Sequence, residues 1–176
     1  MNIKLWKLLP ILFGTGLCAL TYQLVWMREL RLIFGSSTMA TSAVLAIFMG
    51  GIGFGSIFLG RKAEQHSNPL RLYGYFELII AISAMLTPFL ILFVGNLYLR
   101  TGGSQSLGFL QATLFSIFLS TLILGVPTFF MGGTLPAIAK TVLREIDLGR
   151  RDFGYLYGIN TLGAVTGVLL VIFVML

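Results

Sequence analysis

The sequence predicts an all-α integral membrane protein, a polytopic bundle of about five transmembrane helices in one domain covering residues 1–176. The chain is 57% hydrophobic and only 10% charged, whereas soluble domains are about 25% charged. Its apolar residues form five continuous runs long enough to span a bilayer at about 20 residues each. The runs lack the alternation of barrel strands, and a helix satisfies its own backbone groups in lipid.

We place the spans at residues 8–34, 39–60, 70–95, 107–139 and 155–176. Lys4 and Lys7 precede the first run as in a signal sequence, but the run continues without a small-residue cleavage site, so we expect a retained span. The fourth run exceeds the thickness of the hydrocarbon core. The fifth run reaches Leu176 without a polar flank, and we expect it to belong to a longer protein or to one subunit of a complex.

The distribution of basic residues predicts that the N-terminus faces the cytoplasm. The chain has 12 Lys and Arg residues, and basic residues concentrate on the cytoplasmic side of membrane proteins. With the N-terminus inside, nine lie in inner segments and three in outer ones. The inner set is Lys4, Lys7, Arg61, Lys62, Arg71, Lys140, Arg144, Arg150 and Arg151, and the outer set is Arg28, Arg31 and Arg100.

Two spans carry G-x-x-x-G pairs. Gly51 and Gly55 lie in "GGIGFGSIFLG", and Gly163 and Gly167 lie in "NTLGAVTG". Glycine at this spacing lets membrane helices approach closely. The pairs predict helix packing within the chain, and the alternative is a seam that slides during transport.

Two further segments have a structural and a functional interpretation. "GVPTFFMGGTLPAIAK" places two prolines and two glycines in the fourth span, which indicates a kink or a broken helix whose freed backbone groups bind a substrate. "WMREL" places Arg28 and Glu29 at the outer face, either as an interfacial charged anchor or as a charged gate.

Glu77 is a carboxylate inside the apolar run "LYGYFELIIAISAM". Ionisable residues within spans usually face the bundle interior or a cavity. Thr134, Asn160 and Glu77 fall at similar depths along three spans, so we expect an intramembrane polar layer of these residues, with Tyr157 as a further donor one turn from Asn160. The layer is either a buried hydrogen-bonded network that orders the bundle or a site for a cation or proton.

The sequence offers no catalytic, cofactor-binding or metal-binding constellation. His66 has no clustered Cys or carboxylate ligands, and no nucleophile, base and orienting residue form a pattern. Basic residues do not interleave with aromatics, which argues against nucleic-acid binding. We therefore expect no cofactor and no metal.

Four stretches together resemble the bacterial fused major-facilitator/spermidine synthase-like membrane proteins. They are "CALTYQLVWMRELRLIFGSS", "FMGGIGFGSIFLGRKAEQHSNPLRLYGYFEL", "GVPTFFMGGTLPAIAK" and "LGRRDFGYLYGINTLGAVTG". The resemblance implies a bundle similar to part of a major-facilitator N-terminal half, in the bacterial inner membrane. The chain departs from the family in lacking its soluble aminopropyltransferase-like domain, and Gly60 stands where major-facilitator loops carry an acid before the basic pair.

Three functions remain open at this stage. The first is a non-catalytic membrane module that anchors, or assembles with, a partner domain or larger membrane complex. The second is a transport-like unit for a polyamine or another cation. The third is the membrane half of a polyamine aminopropyltransferase whose catalytic domain lies elsewhere. The expected partners are the lipid bilayer, other membrane subunits or a missing soluble domain, and a polyamine.

Overall fold

Five long helices make up the protein in a computed structural model that describes residues 3–34, 38–100, 108–145 and 150–175. In these segments only residues 66–68 and 108 are not helical. The helices are α1 (Ile3–Phe34), α2 (Thr38–Gln65), α3 (Pro69–Arg100), α4 (Phe109–Glu145) and α5 (Arg150–Leu170), and α5 continues into a π-helical turn, Val171–Met175.

All five helices are long and apolar enough to cross a membrane, which confirms the predicted all-α, multi-pass class. Large apolar side chains point outward along them. Phe89 and Phe93 of α3, for example, expose 68% and 67% of their surface. Such surface would be unfavourable in water, so these faces contact lipid.

The helices extend beyond the apolar runs that predicted them. α2 continues to Gln65 and α3 to Arg100, because the polar end turns keep their intrahelical hydrogen bonds outside the hydrocarbon. α4 runs unbroken through Pro127 and Pro136, so the broken-helix interpretation is not supported. Each proline removes only one backbone hydrogen bond, and the neighbouring groups stay satisfied within the helix, as lipid requires.

The directions of the helices alternate along the chain. Thr15 contacts Tyr73 near one end of α1 and α3, and Phe34 contacts Tyr98 near the other, so these two helices are parallel. The ring contacts of α3 with α4 run in opposite order along the two helices, at Phe76–Phe130 and Tyr98–Phe115. This alternation is the geometry of successive membrane crossings.

α2 and α4 pack along a seam of glycines. A methyl group on Gly51 would overlap the side chain of Thr128, and one on Gly55 would overlap the carbonyl oxygen of Phe129. The G-x-x-x-G pair of α2 therefore lies where the two backbones approach most closely.

Glycines of α4 also line this seam. A methyl group on Gly132 of α4 would overlap the carbonyl oxygen of Ile52, and one on Gly133 would lie 2.7 Å from Cβ of Leu59. Because glycines of both helices face the contact, neither backbone can move closer and neither position tolerates a side chain without separating the helices.

α1 and α5 form a second seam of the same kind. An added methyl group at each of three glycines would overlap a backbone carbonyl of the partner helix. The pairs are Gly16 with Asn160, Gly163 with Phe13 and Gly167 with Leu17. The second predicted glycine pair therefore also lies at a close helix contact.

The two seams repeat each other residue by residue. On every helix the spacing between successive contacts is the same in both seams, although α1 and α4 run in opposite directions. Each contact of the α1–α5 seam matches one of the α2–α4 seam. Gly163–Phe13 matches Gly55–Phe129, Gly16–Asn160 matches Gly132–Ile52, and Gly167–Leu17 matches Leu59–Gly133. The bundle thus contains an inverted repeat, in which α1 corresponds to α4 and α5 corresponds to α2.

Two buried clusters close the bundle at its two ends. One contains Leu12, Leu59, Phe76, Ala137 and Leu156. The other lies towards the opposite end of α1 and includes Trp26, Leu30, Val94, Leu119 and Leu124. A cavity lies between α1 and α3, at the level between the two clusters.

Candidate functional site: a cavity between α1 and α3

The cavity has a volume of about 610 Å³ and lies between the two buried clusters. Its walls are mainly one face of α1 and one face of α3, and α4 forms its base together with single residues of α2 and α5. Ligand cavities in proteins commonly have 300–1,000 Å³ and are mostly apolar, with few polar groups. The polar groups here are Thr15, Cys18, Tyr22, Tyr73, Glu77, Thr134 and Asn160.

Glu77 and two hydroxyl groups form a short hydrogen-bonded network on one wall. The Thr15 hydroxyl lies 3.1 Å from Oε1 of Glu77, to which it donates, and 2.6 Å from the Tyr73 hydroxyl. Thr15 also lies 3.1 Å from the carbonyl oxygen of Ile11. Since a threonine hydroxyl has one proton, it serves Glu77 or Ile11 at one time, and Tyr73 can donate to Thr15 in either arrangement.

Three residues of the predicted polar layer lie at the same cavity. Glu77, Thr134 and Asn160 all line the cavity, as their similar depths along three spans suggested. The Thr134 hydroxyl donates to the carbonyl oxygen of Met131 at 2.8 Å, so it is bonded within its own helix. The three residues share one cavity, and Glu77 accepts a hydrogen bond from Thr15 on α1.

Tyr157 lies outside this layer. Its side chain is 53% exposed and borders a shallow depression with Tyr155 and Leu162 on the outward face of α5. The face of α5 towards α1 belongs to Leu156, which is 1% exposed, and to the glycine seam. One residue is 100° of helix rotation, which carries Tyr157 away from the face that Leu156 occupies.

Sequence reasoning missed four polar residues of the cavity. Tyr73 precedes Glu77 by four residues, and helix periodicity places such a pair on one face, so this signal was available. Thr15, Cys18 and Tyr22 also recur every three or four residues along α1. Only the pairing of α1 with α3 shows that the two faces meet.

Arg28 and Glu29 lie far from the cavity. Arg28 is exposed and Glu29 is half-buried, one turn or more before α1 ends at Phe34. This placement near the helix end fits an interfacial charged anchor, and neither residue lines a wall of the cavity.

The cavity has one carboxylate, that of Glu77, which lies among hydroxyls, aromatic rings and apolar walls. The described residues that line it include no Lys or Arg. Among the residues described, no three His, Cys, Asp or Glu side chains come together as a metal site would require. The arrangement can hold a cationic group or a hydrogen-bond donor against Glu77.

Neither family models nor curated proteins match this sequence, and no solved structure matches the fold.

Proposed function

We propose that the chain is a non-catalytic, multi-pass membrane module, of the kind found in fused major-facilitator/spermidine synthase-like proteins, that anchors or assembles with a partner domain or larger membrane complex. The observation that carries this proposal is the inverted repeat of the two glycine seams. It provides a rigid scaffold whose outer faces remain apolar and open to other helices.

The repeat also supports the likeness to a major-facilitator half. In those transporters each half contains two inverted repeats of three helices. Here α1 and α2 correspond to α4 and α5, and each seam joins the first helix of one repeat to the second helix of the other. α3 is then the third helix of the first repeat.

The described residues consist almost entirely of long helices able to span a membrane, which suits a module that works with a partner domain. Apart from residues 66–68 and 108, the described chain is helix. An aminopropyl transfer requires a pocket for a nucleoside donor, which the related fusion proteins place in a soluble domain. A partner of that type is one domain that this module would anchor.

The module is expected to purify with a partner and to be inactive alone. We expect the intact protein, isolated in mild detergent from the membranes of the cells that make it, to carry another polypeptide in fixed ratio. The chain by itself should transfer no aminopropyl group to a polyamine acceptor, with a soluble spermidine synthase as the positive control. A partner-free protein that catalyses the transfer would contradict the proposal.

We further propose a cytoplasmic N-terminus in a bacterial inner membrane, on the basis of the basic residues. Single cysteines at Ser67 and Gly103, introduced into a Cys18→Ser background, are expected to react with an impermeant maleimide from opposite sides. Gly103 lies outside the residues that the structure describes, and Ser67 lies between α2 and α3. Labelling of both from one side would refute this topology.

A second candidate function is a transport-like unit for a polyamine or another cation. The observation that favours it is Glu77, a carboxylate in a cavity of about 610 Å³ without a Lys or Arg in its walls. A cationic amine that entered the cavity would meet Glu77.

A further inference from the structure

The inverted repeat gives the cavity between α1 and α3 a central position. The two glycine seams align α1 with α4, and α5 with α2, at a constant offset in each case. Under this alignment, every described residue that α2, α4 and α5 contribute to the cavity has an equivalent that also lines it. The equivalent pairs are Thr15 and Met131, Cys18 and Thr134, Ala19 and Leu135, and Asn160 and Ile52. The cavity therefore lies on the pseudo-twofold axis that relates the two repeats.

This position is typical of a ligand site. In transporters built from inverted repeats, substrates and coupling ions bind near the middle of the membrane at the interface between the repeats. The cavity lies at that interface, and its volume of about 610 Å³ is within the range of small-molecule sites.

The two sides of the axis differ in chemistry. Thr15 and Asn160 are polar, whereas their equivalents Met131 and Ile52 are apolar. Thr134 is polar on the α4 side, but its hydroxyl donates to the carbonyl oxygen of Met131 within its own helix. One side of the cavity therefore offers polar groups to a ligand, and the other side offers an apolar wall.

Glu77 adds a charge to the polar side. The hydroxyls of Thr15 and Tyr73 both hydrogen-bond to its carboxyl group, so the group is held in place at the cavity wall. These two donors are neutral, and they leave the charge of an ionised carboxylate uncompensated. The described residues of the lining include no Lys or Arg, so a ligand cation would be the opposite charge at this site.

The remaining lining limits the ligand to one positive charge. Tyr22 and Tyr73 line the cavity, and aromatic rings attract organic cations. Glu77 is the only carboxylate among the lining residues. The further ammonium groups of a polyamine would lie against the apolar wall, where a charge without a partner is unfavourable.

We propose that this cavity binds an organic cation that has a single positive charge and an apolar body. The charged group lies against Glu77, and the body packs on Met131, Leu135 and Ile52 across the axis. The inference rests on the second candidate function, the transport-like unit, and names its substrate class.

The test measures binding of radiolabelled tetraphenylphosphonium to the intact protein in mild detergent, with four unlabelled competitors. The first is 4-phenylbutyl-trimethylammonium, and its matched control is the neutral isostere with carbon in place of nitrogen. The others are tetramethylammonium, which lacks the apolar body, and spermidine, which carries additional charges. We expect the phenylbutyl cation to displace the probe at concentrations at least about tenfold lower than any of the other three.

Two pairs of variants locate the site. Glu77→Gln should weaken binding of the probe at least about tenfold, whereas Glu64→Gln, at an exposed position of α2, should leave it unchanged. Gly74 lines the cavity, and a methyl group there meets no atom of another helix within 4 Å. Gly74→Leu should therefore fill part of the cavity and weaken binding about tenfold. Gly53→Leu, at an open position outside the cavity, should leave binding unchanged, so this pair keeps the test valid even if Glu77→Gln destabilises the protein.

Several results would overturn the inference. Equal displacement by the neutral isostere would remove the role of the charge, and equal displacement by tetramethylammonium would remove the role of the apolar wall. Stronger displacement by spermidine would refute the single-charge ligand and keep the candidate transport function for a polyamine. Probe binding that is unchanged in both Glu77→Gln and Gly74→Leu would place the probe outside the cavity. No displaceable binding of any cation would refute the inference and that candidate function together.

Discussion

Replacing Gly55 by alanine is expected to be among the most destabilising single changes in this protein, although it adds only one methyl group. The added carbon would overlap the carbonyl oxygen of Phe129 on α4, which is backbone and cannot rotate away. α2 and α4 would have to separate along their seam. We expect a loss of about 2 kcal/mol or more in the free energy of unfolding.

Gly53→Ala is the matched control on the same helix. An added methyl group there meets no atom of another helix within 4 Å, and alanine is a better helix former than glycine by roughly 1 kcal/mol. The two variants should therefore differ in sign when thermal or denaturant unfolding is followed in detergent. If Gly55→Ala unfolds like the wild type, the close seam is wrong.

The inverted repeat extends this prediction to the other seam. Gly163 meets the carbonyl oxygen of Phe13 as Gly55 meets that of Phe129, so Gly163→Ala should destabilise by a similar amount, with the open Gly14→Ala as its control. A large loss at one position and none at the other would show that the two seams are not equivalent in strength.

Phe76→Ala should weaken the packing of α3 against α4. Phe76 is 3% exposed, packs against the ring of Phe130 and lies beside Gly133. Truncation of a buried phenylalanine costs about 3–5 kcal/mol in soluble proteins. In a membrane the transfer free energy of the side chain contributes less to this cost, because lipid is as apolar as the core. The lost contacts and the new void should therefore account for about 2–3 kcal/mol.

Phe89→Ala is the control for this effect. It is the same substitution on the same helix, but Phe89 is 68% exposed towards the surrounding lipid. Unfolding in detergent should show little change for Phe89→Ala and a clear loss for Phe76→Ala. Similar stability of the two variants would refute the contact of α3 with α4 at Phe76.

The polar residues show how far sequence reasoning reaches at the site. The depths of Glu77, Thr134 and Asn160 follow from counting residues at a constant rise along each span, and these residues line one cavity. Tyr157 was placed with them by its distance from Asn160 along the helix, but its rotation about the helix axis turns it outward. Thr15, which donates a hydrogen bond to Glu77, lies on a helix whose pairing with α3 no sequence pattern indicated.

The sequence alone determined the class of the protein and the course of its helices. Composition and run length suffice for this, because lipid allows few structures that satisfy the backbone, and a helix does so with local hydrogen bonds. The glycine pairs at 51 and 55 and at 163 and 167 also predicted close helix packing, since their spacing can be read from the sequence alone.

Only the tertiary structure decided which helices those glycines meet, that the two seams repeat each other in inverted order, and that Glu77 lines a cavity between α1 and α3. Membrane helices are all apolar, so hydrophobicity does not distinguish one partner from another. The choice depends on the fit of backbone to backbone at single positions such as Gly55 against Phe129, and that fit arises only when residues distant in sequence meet in space.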